Sequence, residues 1–511
     1  MTEVSAMAVT AAGEVERKFE SAGPGISESL DADAVREVLG HPVPDEPTER
    51  LQEAVYWDTA DLALHRDRIT LRRRTGGHDD GWHVKLPGTG DRREELHAPL
   101  TPAGSGPPEG VLALLRASTR GRPVEPVAEL LTRRREWRAH DEQGRTVAEL
   151  VVDQVTARTA DRTGREDLQA WQEIEVETGP AAPEGYLDDV EARLAAHGVR
   201  RSASASKVGR VLAARAGADP AAPEPDTAAA VVLRYLADHA RTLRAWDPLV
   251  RLDREDSVHQ MRVAARRLRS ALQGFGRVLA RDRTRALTDE LRWFAGELAP
   301  ARDTEVMHAR LHELLGEMPR TLVLGPVEAD VARVFARRAA TAREQALAAL
   351  DSARYRTLLD ALDALLAEPP TTERAQRAAR AVLPREVDRA HRKLAAAMAG
   401  ADGAAVGHER DEALHEARKK AKRLRYASEV AQPVLRKPAR RLRKRMKAVQ
   451  ELLGDHQDTV VTRATLLELA ASGEVGQGFS LGVLHAAEAA RAADAEDRLP
   501  ALWAAVPAPG R

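Results

Sequence analysis

The sequence predicts an α+β protein of two domains, an N-terminal antiparallel β domain and a C-terminal all-α domain. Short runs rich in β-branched and aromatic residues alternate with turn residues in the first 212 residues, as is typical of strands. Long Ala-, Leu- and Arg-rich patterns follow, as is typical of helices. Between them, GADPAAPEPDT has no hydrophobic period and indicates a linker. We therefore expect a disordered N-terminus at 1–12, a β domain at 13–212, a linker at 213–226 and a helical domain at 227–505.

Composition excludes several classes of protein. The chain has 511 residues and no cysteine, so it has no disulfides, thiolate metal sites or cysteine nucleophiles. It starts without a basic signal-peptide region, and no apolar run approaches the roughly 20 residues that span a bilayer. We therefore expect a cytoplasmic protein with no membrane partner. The net charge of −1 argues against a globally basic nucleic-acid binder, although residues 415–447 contain fourteen Lys or Arg and two acids.

The stretch EVERKFE, residues 14–20, has an unusual charge pattern for a strand. On an extended chain, Glu14, Glu16 and Lys18 share one face, while Val15 and Phe19 take the other. The same pattern recurs in DRITLRRRT, GWHVKLP and QEIEVET, where one face carries Arg72 and Arg74, His83 and Lys85, or Glu173, Glu175 and Glu177. An exposed sheet accounts for such faces, and so does a barrel with a polar interior.

The presence of both signs of charge suggests a chemistry for that interior. Carboxylates are hard oxygen ligands that suit Mg²⁺ or Mn²⁺. Arginine and lysine hold phosphate oxygens. Acids and bases on neighbouring strands therefore suit a phosphate chain bridged by a metal, whereas a site for a cation or an anion alone requires one sign of charge.

A series of motifs in the first 212 residues resembles the CYTH, or triphosphate tunnel metalloenzyme, superfamily. EVERK, YWDTADLAL, TLRRRTG, WHVKLPG, RREE at 92–95, TRRREW, LVVDQV, EIEVE and SASKVGR occur in the family's order between residues 14 and 212. The resemblance implies an eight-stranded antiparallel β tunnel with flanking helices, which binds a triphosphate together with a divalent metal.

The resemblance also implies roles for individual residues. Glu14, Glu16 and Lys18 would form the catalytic group. The metal ligands would be Glu14, Glu16, Asp153, Glu173 and Glu175. The triphosphate would be held by Lys18, Arg72, Arg74, Lys85, Arg133, Arg135 and Lys207. Parity along the strand favours Arg133 and Arg135 over Arg134. Which of the three acids in EIEVE bind metal stays open.

The helical half contains an internal repeat. VHQMRVAARRLRSAL begins at Val258, and LHEARKKAKRLRYAS begins at Leu414. A second pair follows, ELAPARDTEV at 297–306 and ELLGDHQDTV at 451–460. Two motifs that recur in the same order at nearly the same spacing predict a duplicated helical bundle.

Each copy of the repeat places basic residues in a narrow stripe beside the apolar face of its helix. The stripes are His259, Arg262, Arg266 and Arg269 in the first copy and His415, Arg418, Lys422 and Arg425 in the second. Two such helices, packed by their apolar faces, would combine the stripes into one basic groove. A solvated basic surface is the alternative. Aromatic residues are not interleaved with the cations, so a phosphate chain is favoured over nucleic acid.

The helical half resembles the CHAD domain over roughly 226–500. The matching residues are the eight stripe residues together with Asp303, His456 and Asp458. The resemblance implies that the stripe residues and His456 bind inorganic polyphosphate. His456 has no counterpart near Asp303, so the two copies cannot act identically there.

Together these observations predict a triphosphatase that uses Mg²⁺ or Mn²⁺, acts on inorganic triphosphate and carries a polyphosphate-binding helical domain. We also expect an association with polyphosphate granules. Three alternatives stay open: a polyphosphate-binding protein without turnover, a nucleic-acid scaffold, and an activity like that of adenylate cyclases. The oligomeric state is not predicted.

Overall fold

The structure, a computed structural model, describes residues 10–21, 30–77, 79–87, 92–102, 104–160, 165–204, 206–216, 226–472 and 478–506. The chain divides into two compact units, Met1–Asp219 and Pro220–Arg511. The first holds all the described strands and the second is helical, so the predicted α+β class is confirmed.

The described strands of the first unit form a single antiparallel sheet in the order β5-β4-β3-β2-β6-β7-β8-β1-β9. The strands are β1 (Thr10–Ser21), β2 (Thr48–Asp58), β3 (Thr70–Thr75), β4 (Gly81–Leu86), β5 (Arg92–Ala98), β6 (Glu125–His140), β7 (Thr146–Ala160), β8 (Glu166–Thr178) and β9 (Val199–Arg201). The ninth strand was not predicted, because three residues are too short to show a strand period.

Strand β1 has three partners along its length. Residues Thr10–Val15 pair with β5, Glu16–Phe19 pair with β8, and Phe19–Ser21 pair with β9. The pairing with β5 joins β1 to the far end of the strand order, so strands β1–β8 place side chains around a common cavity. Residues 10–12 therefore belong to a strand rather than to the disordered segment expected at 1–12, while 1–9 lie outside the described residues.

In the described part of the first unit, the helices beside the sheet are α1 (Ala32–Leu39), α2 (Ala63–Arg66), α3 (Glu109–Leu114), α4 (Arg116–Thr119), α5 (Tyr186–Ala196) and α6 (Lys207–Ala216). Helices α1 and α5 cover one outer part of the sheet, where Phe19 and Trp137 join the core. Helix α6 packs against a second core that includes Tyr56 and Leu130. It continues four residues beyond the expected end of the domain at 212, and 217–225 of the expected linker lie outside the described residues.

The second unit contains helices α7 (Ala228–Arg251), α8 (Ser257–Gly274), α9 (Arg281–Glu297), α10 (Ala299–Glu317), α11 (Val327–Asp351), α12 (Ala353–Ala367), α13 (Ala379–Asp402), α14 (His408–Leu435), α15 (Lys437–Ser472) and α16 (Gly478–Ala504). The two basic repeat motifs lie on α8 and α14, which pack against each other. Among the described residues, no helix has both the length and the apolar character needed to cross a membrane.

Candidate active site and phosphate-binding groove

The charged and apolar side chains of β1 face opposite sides of the sheet, as the sequence predicted. Glu16 and Lys18 line the cavity of the first unit, which has a volume of about 270 Å³. Phe19 faces the outer core, and Arg17 forms an ion pair at 2.8 Å with Glu191 of α5. The side chain of Glu14, the remaining predicted acid of this strand, lies outside the described residues.

Cationic side chains from several strands line the same cavity. Arg72 and Arg74 come from β3, Lys85 from β4, and Lys207 from the first turn of α6. Arg72 and Lys85 each lie 3.3 Å from a carboxylate oxygen of Glu95. Burial, together with the neighbouring Arg72, lowers the pKa of Arg74 to about 10. The cations are therefore crowded, and a bound anion would relieve their repulsion.

The arginine that β6 contributes is Arg134, which lines the cavity and donates from Nε and Nη2 to Asp153 at 2.9 and 2.7 Å. The choice of Arg133 and Arg135 by parity is wrong. Arg133 is exposed, and Arg135 lies on the outer side, with its guanidinium 4.8 Å from the ring of Trp137. Trp137 belongs to the outer core, and Arg135, two residues before it, faces the same outer side of β6. Arg134 lies between them in the sequence and therefore faces the cavity.

Three lining acids form a row across adjacent strands. Glu177 of β8 is the cross-strand partner of Glu149 on β7 and of Glu16 on β1. Burial raises the pKa of Glu177, and the charges of Glu149 and Glu16 raise it further, while Lys85 opposes them. Three carboxylates of this kind are suited to a divalent cation, which would remove their mutual repulsion. The sequence left Glu177 open and missed Glu149, although Glu149 has the parity of Asp153.

A second group of acids is held by Lys207. Its ammonium lies 2.7 Å from Glu173, 2.7 Å from Glu175 and 3.0 Å from Asp153. Burial opposes the charge of Lys207, but Asp153 and Glu173 raise its pKa above the ordinary value. Oxygens of the three carboxylates lie within 4.8 Å of one another. These acids already bind the ammonium of Lys207 and the guanidinium of Arg134, so a metal ion held by them would replace those partners.

Lys18 lies between the two groups of acids. It forms an ion pair with its cross-strand partner Glu175 and lies 3.9 Å from Glu16. Burial and the nearby ammonium of Lys207 lower the pKa of Lys18 to about 8. Lys18 therefore gives up its proton more readily than Lys207, and an anion beside it would favour its charged form.

Sequence reasoning gave no role to Glu95, the acid that faces Arg72 and Lys85. It also accepts a 2.8 Å hydrogen bond from Nδ1 of buried His83, whose Nε2 lies 2.9 Å from the carbonyl oxygen of Asp79. His83 thereby fixes Glu95 and contacts no open part of the cavity. Glu95 is the last residue of RREE at 92–95, so the motif contained this acid, but its position within the motif did not show that it faces the cavity.

In the helical unit, the two basic stripes meet. Burial lowers the pKa of Arg266, and the charges of Arg262 and Arg418 lower it further. Burial and the charges of Arg418 and Arg266 lower the pKa of Lys422 to about 7. The stripes of α8 and α14 therefore lie close enough to lower each other's pKa values, and the basic surface that they form together is called the groove below.

The remaining stripe residues have local partners. Arg262 lies 3.0 Å from Asp303 of α10, and Arg425 lies 3.7 Å from Glu429. His415 hydrogen-bonds to Gln457. Burial lowers the pKa of His259, and Arg302 lowers it further. At neutral pH, the cations of the groove are thus mainly its arginines.

His456 does not join this groove. Its side chain is buried, and Nε2 lies 3.3 Å from Asp411 and 3.2 Å from Glu496. A side chain placed between two carboxylates cannot approach a phosphate without losing those contacts. The phosphate contact of His456 stays a prediction, and the structure places this side chain beside Asp411 and Glu496. The acids come from α14 and α16, so no local spacing reveals them.

Two family models match the chain, one in each of its two compact units. The model of the CYTH domain matches residues 12–212, and the model of the CHAD domain matches residues 234–467. The chain belongs to the CYTH–CHAD family. CYTH domains are triphosphate-tunnel domains that generally use divalent metals, and the acids of this cavity fit that chemistry.

Two relatives match the chain over almost its whole length. The uncharacterized protein Rv2226 of Mycobacterium tuberculosis strain H37Rv is 38% identical over 506 residues, which cover 96% of this chain and 95% of the relative. The uncharacterized protein MT2285 of strain CDC 1551 has the same identity and coverage.

Solved structures resemble parts of the chain. The CHAD domain of the plant Ricinus communis is 29% identical, with a TM-score of 0.47, and covers 57% of this chain and 97% of its own. PptA from Streptomyces chartreusis is 24% identical, with a TM-score of 0.46, and covers 55% of this chain and 99% of its own.

Proposed function

We propose that the CYTH domain hydrolyses the terminal phosphoanhydride bond of inorganic triphosphate with a divalent metal, and that the CHAD domain binds inorganic polyphosphate. The observation that carries the proposal is the division of charge within one cavity. Glu16, Glu149 and Glu177 gather on one side, across β1, β8 and β7. Arginines and lysines from β3, β4, β6 and α6 complete the lining.

The acidic row fits a metal on chemical grounds. Its donors are carboxylate oxygens, which Mg²⁺ and Mn²⁺ prefer, and its excess negative charge raises the pKa of Glu177. Glu14 would join these ligands. When bound there, a divalent metal would neutralise phosphate charge and lower the pKa of a water molecule. Asp153, Glu173 and Glu175, which hold Lys207, would support the site from behind.

The cations would hold and polarise the phosphate chain. Arg72, Arg74 and Arg134 present guanidinium groups that can each donate two hydrogen bonds to phosphate oxygens. Lys18 and Lys85 lie beside the acidic row and would contact oxygens near the bond that breaks. Cations fixed in advance around the developing phosphoryl charge stabilise the transition state without reorganising.

The lining favours inorganic triphosphate over a nucleotide. Among the described residues that line the cavity, Tyr56 is the aromatic side chain, and Arg72 Nη1 lies 3.5 Å from its hydroxyl. That contact engages Tyr56 with a cation, and the described lining holds no second aromatic ring that could stack on a base. An activity like that of adenylate cyclases would need such recognition and is therefore the weaker candidate.

The groove between α8 and α14 supports polyphosphate binding for a related reason. Its cations lower one another's pKa values, as at Lys422 and Arg266, so the groove is under electrostatic strain when empty of anions. A linear polyanion would relieve that strain over both copies of the repeat at once.

The deciding experiment is a hydrolysis screen of the full-length protein with Mg²⁺ or Mn²⁺. Phosphate release would be measured from inorganic triphosphate, ATP, thiamine triphosphate and long-chain polyphosphate. We expect the highest kcat/KM with inorganic triphosphate and no release in EDTA. The Glu14→Gln, Glu16→Gln double variant should lose the metal-dependent rate, while Glu49→Gln, on an exposed position of β2, should keep it.

Two results would change the proposal. Tight triphosphate binding without release of phosphate would favour the alternative, a polyphosphate-binding protein without turnover. Unchanged hydrolysis in the double variant would remove the acidic side of the cavity from the reaction.

A further inference from the structure

The amine of Lys422, on α14, has no partner of opposite charge. On the same helix, Lys419 forms an ion pair with Glu416 at 2.6 Å. Among the described residues, by contrast, no carboxylate forms an ion pair with Lys422, and Asp458 of α15 acts on it only from a greater distance. Lys422 is half-buried rather than enclosed, so a small molecule from the solvent can reach its amine.

Arginines surround this amine on two helices. Arg418 lies four positions before Lys422 and Arg425 three positions after it, so both share its face of α14. Arg266 acts on it from α8. In the part of the chain that the structure describes, neither Arg266 nor Arg418 forms an ion pair. Burial and the charges of these three arginines lower the pKa of Lys422 to about 7, against the opposing charge of Asp458.

A lysine in such surroundings is a nucleophile. At pH 7.5, an amine with a pKa of about 7 is roughly three-quarters neutral, whereas a lysine with the ordinary pKa of 10.5 is neutral in about one molecule in a thousand. Only the neutral amine carries the lone pair that attacks a carbonyl carbon, and enzymes activate lysines beside other cations in this way. The arginines also bind phosphate oxygens, so they favour an acylating agent whose leaving group is a phosphate.

We propose that Lys422 is a modification site for acyl phosphates, whose phosphate is held by Arg266 and Arg418 while the acyl group is transferred to Nζ. The lone pair of Nζ attacks the carbonyl carbon, and the bond from that carbon to the phosphate oxygen breaks, with its electron pair leaving on the phosphate. The nitrogen then loses a proton to the departing phosphate, and the products are an amide and inorganic phosphate. The guanidinium groups stabilise the charge that develops on the leaving oxygen.

Acylation would change the groove itself. The amide that replaces the amine of Lys422 is uncharged, so the second stripe loses one cation, and the added acyl group occupies space beside Arg266. We therefore expect the modified protein to bind polyphosphate more weakly. This effect rests on the proposed function of the CHAD domain, whereas the modification of Lys422 does not.

Acetylation of the full-length protein, followed at each lysine, tests the proposal. The protein would be incubated with acetyl phosphate at pH 7.5, and the acetylated fraction of each lysine would be measured by mass spectrometry. Lys422 should react roughly ten-fold faster than exposed Lys444, because the lower basicity of its amine offsets part of the gain from its neutral form. The rate at Lys422 should level off above pH 8, since its pKa is about 7, while exposed lysines continue to react faster.

Two comparisons separate the activated amine from the phosphate site. N-acetoxysuccinimide, which carries no phosphate, should prefer Lys422 over exposed lysines by a smaller factor than acetyl phosphate does. Arg266→Gln with Arg418→Gln should slow the reaction of Lys422 with acetyl phosphate several-fold. Arg283→Gln with Arg423→Gln removes the same charge from exposed positions and should leave that rate unchanged.

Three results would overturn the proposal, and all three come from the parent protein, so they do not depend on the folding of a variant. Equal rates at Lys422 and Lys444 would show that the amine is not activated. An equal preference for Lys422 with both reagents would show that no phosphate is held beside it. Faster acetylation of Lys422 by acetyl coenzyme A than by acetyl phosphate at the same concentration would assign the site to thioesters.

Discussion

The ammonium of Lys207 lies 3.0 Å from a carboxylate oxygen of Asp153 that solvent cannot reach. Asp153 also accepts hydrogen bonds from Nε and Nη2 of Arg134. Burial alone would raise the pKa of Asp153, but these two cations hold it well below its usual range. The Lys207–Asp153 ion pair connects the start of α6 to β7 of the sheet. Lys207 is therefore a structural residue as well as a member of the cavity lining.

Lys207→Met should therefore destabilise the protein. It would leave three buried carboxylates short of a counter-charge, and breaking a buried pair costs about 3–5 kcal/mol. Thermal melting should show a lower Tm for the CYTH transition. Adding Asp153→Asn should recover part of the loss, and a Tm that does not move in the single variant would contradict this role.

Arg134→Gln should reduce triphosphate hydrolysis by about 10²–10³-fold, the usual effect of removing a fixed donor to developing charge. Arg133→Gln, one residue away on the outer side of β6, is the matched control and should keep the parent kcat/KM. Melting curves would separate a catalytic effect from loss of the Arg134–Asp153 pair. Equal activity in the two variants would contradict a role for Arg134 in binding the triphosphate.

Glu149→Gln should weaken the binding of Mn²⁺, measured by the spectroscopic signal of the free ion rather than by activity. Metal binding requires Glu177 to be charged, and burial together with Glu149 and Glu16 raises its pKa. Parent affinity should therefore fall as the pH decreases through that raised pKa. In Glu149→Gln the fall should shift to lower pH, because one source of repulsion is gone. Glu49→Gln should match the parent at every pH.

Charge reversal at either stripe should weaken polyphosphate binding strongly. Arg266→Glu and Lys422→Glu each remove attraction and add repulsion in the shared groove, whereas exposed Arg283→Glu should have a small effect. Titrations at several salt concentrations should give a shallower salt dependence for the groove variants, because fewer counterions are released. Ligand-free Tm should stay equal or rise, and an unfolded variant would show that these cations are structural.

Polyphosphate binding should take up protons above neutral pH. Lys422 has a pKa of about 7 in the free protein, because of burial and its neighbours Arg418 and Arg266. A polyanion would raise that pKa towards 10.5, the ordinary value of lysine. Affinity should therefore fall as the pH rises from 7 towards 10. Calorimetry in buffers of different ionisation enthalpy would count the protons, and Lys422→Gln should take up fewer.

The same shift has the opposite sign for the stability of the free protein. The folded pKa of Lys422 is lower than the unfolded one, so the unfolded state binds more protons between about 7 and 10.5. The contribution of this group to the free energy of unfolding therefore increases as the pH rises through that window. Lys422→Gln should remove this component of the pH dependence.

Alternation along strands predicted much of the cavity. It assigned Glu16, Lys18, Arg72, Arg74 and Lys85 to the interior, where the structure places them. It failed at Arg133–Arg135, since three consecutive arginines look alike on either face and only the packing of Trp137 decides between them. The sequence also did not predict contacts between distant residues, such as those of Lys207 with Asp153 and of His83 with Glu95.

In the helical unit too, local periodicity was informative and contacts between distant helices were not. The period of the repeat predicted that the stripes of α8 and α14 would share a groove, because a helix fixes which residues lie side by side. The burial of His456 depends instead on Asp411 and Glu496, which approach it from other helices.

The pairing of β1 has a consequence for synthesis on the ribosome. Glu16 is translated long before its partner Glu177, so the Glu16–Phe19 part of β1 must wait for most of the CYTH domain, whereas Thr10–Val15 can pair with β5 earlier. Contacts so distant in sequence form slowly. During that interval the first strand exposes unpaired amide and carbonyl groups to other nascent chains on the same message. A chaperone that covers the emerging β1 would therefore help this protein more than one that acts on its later helices.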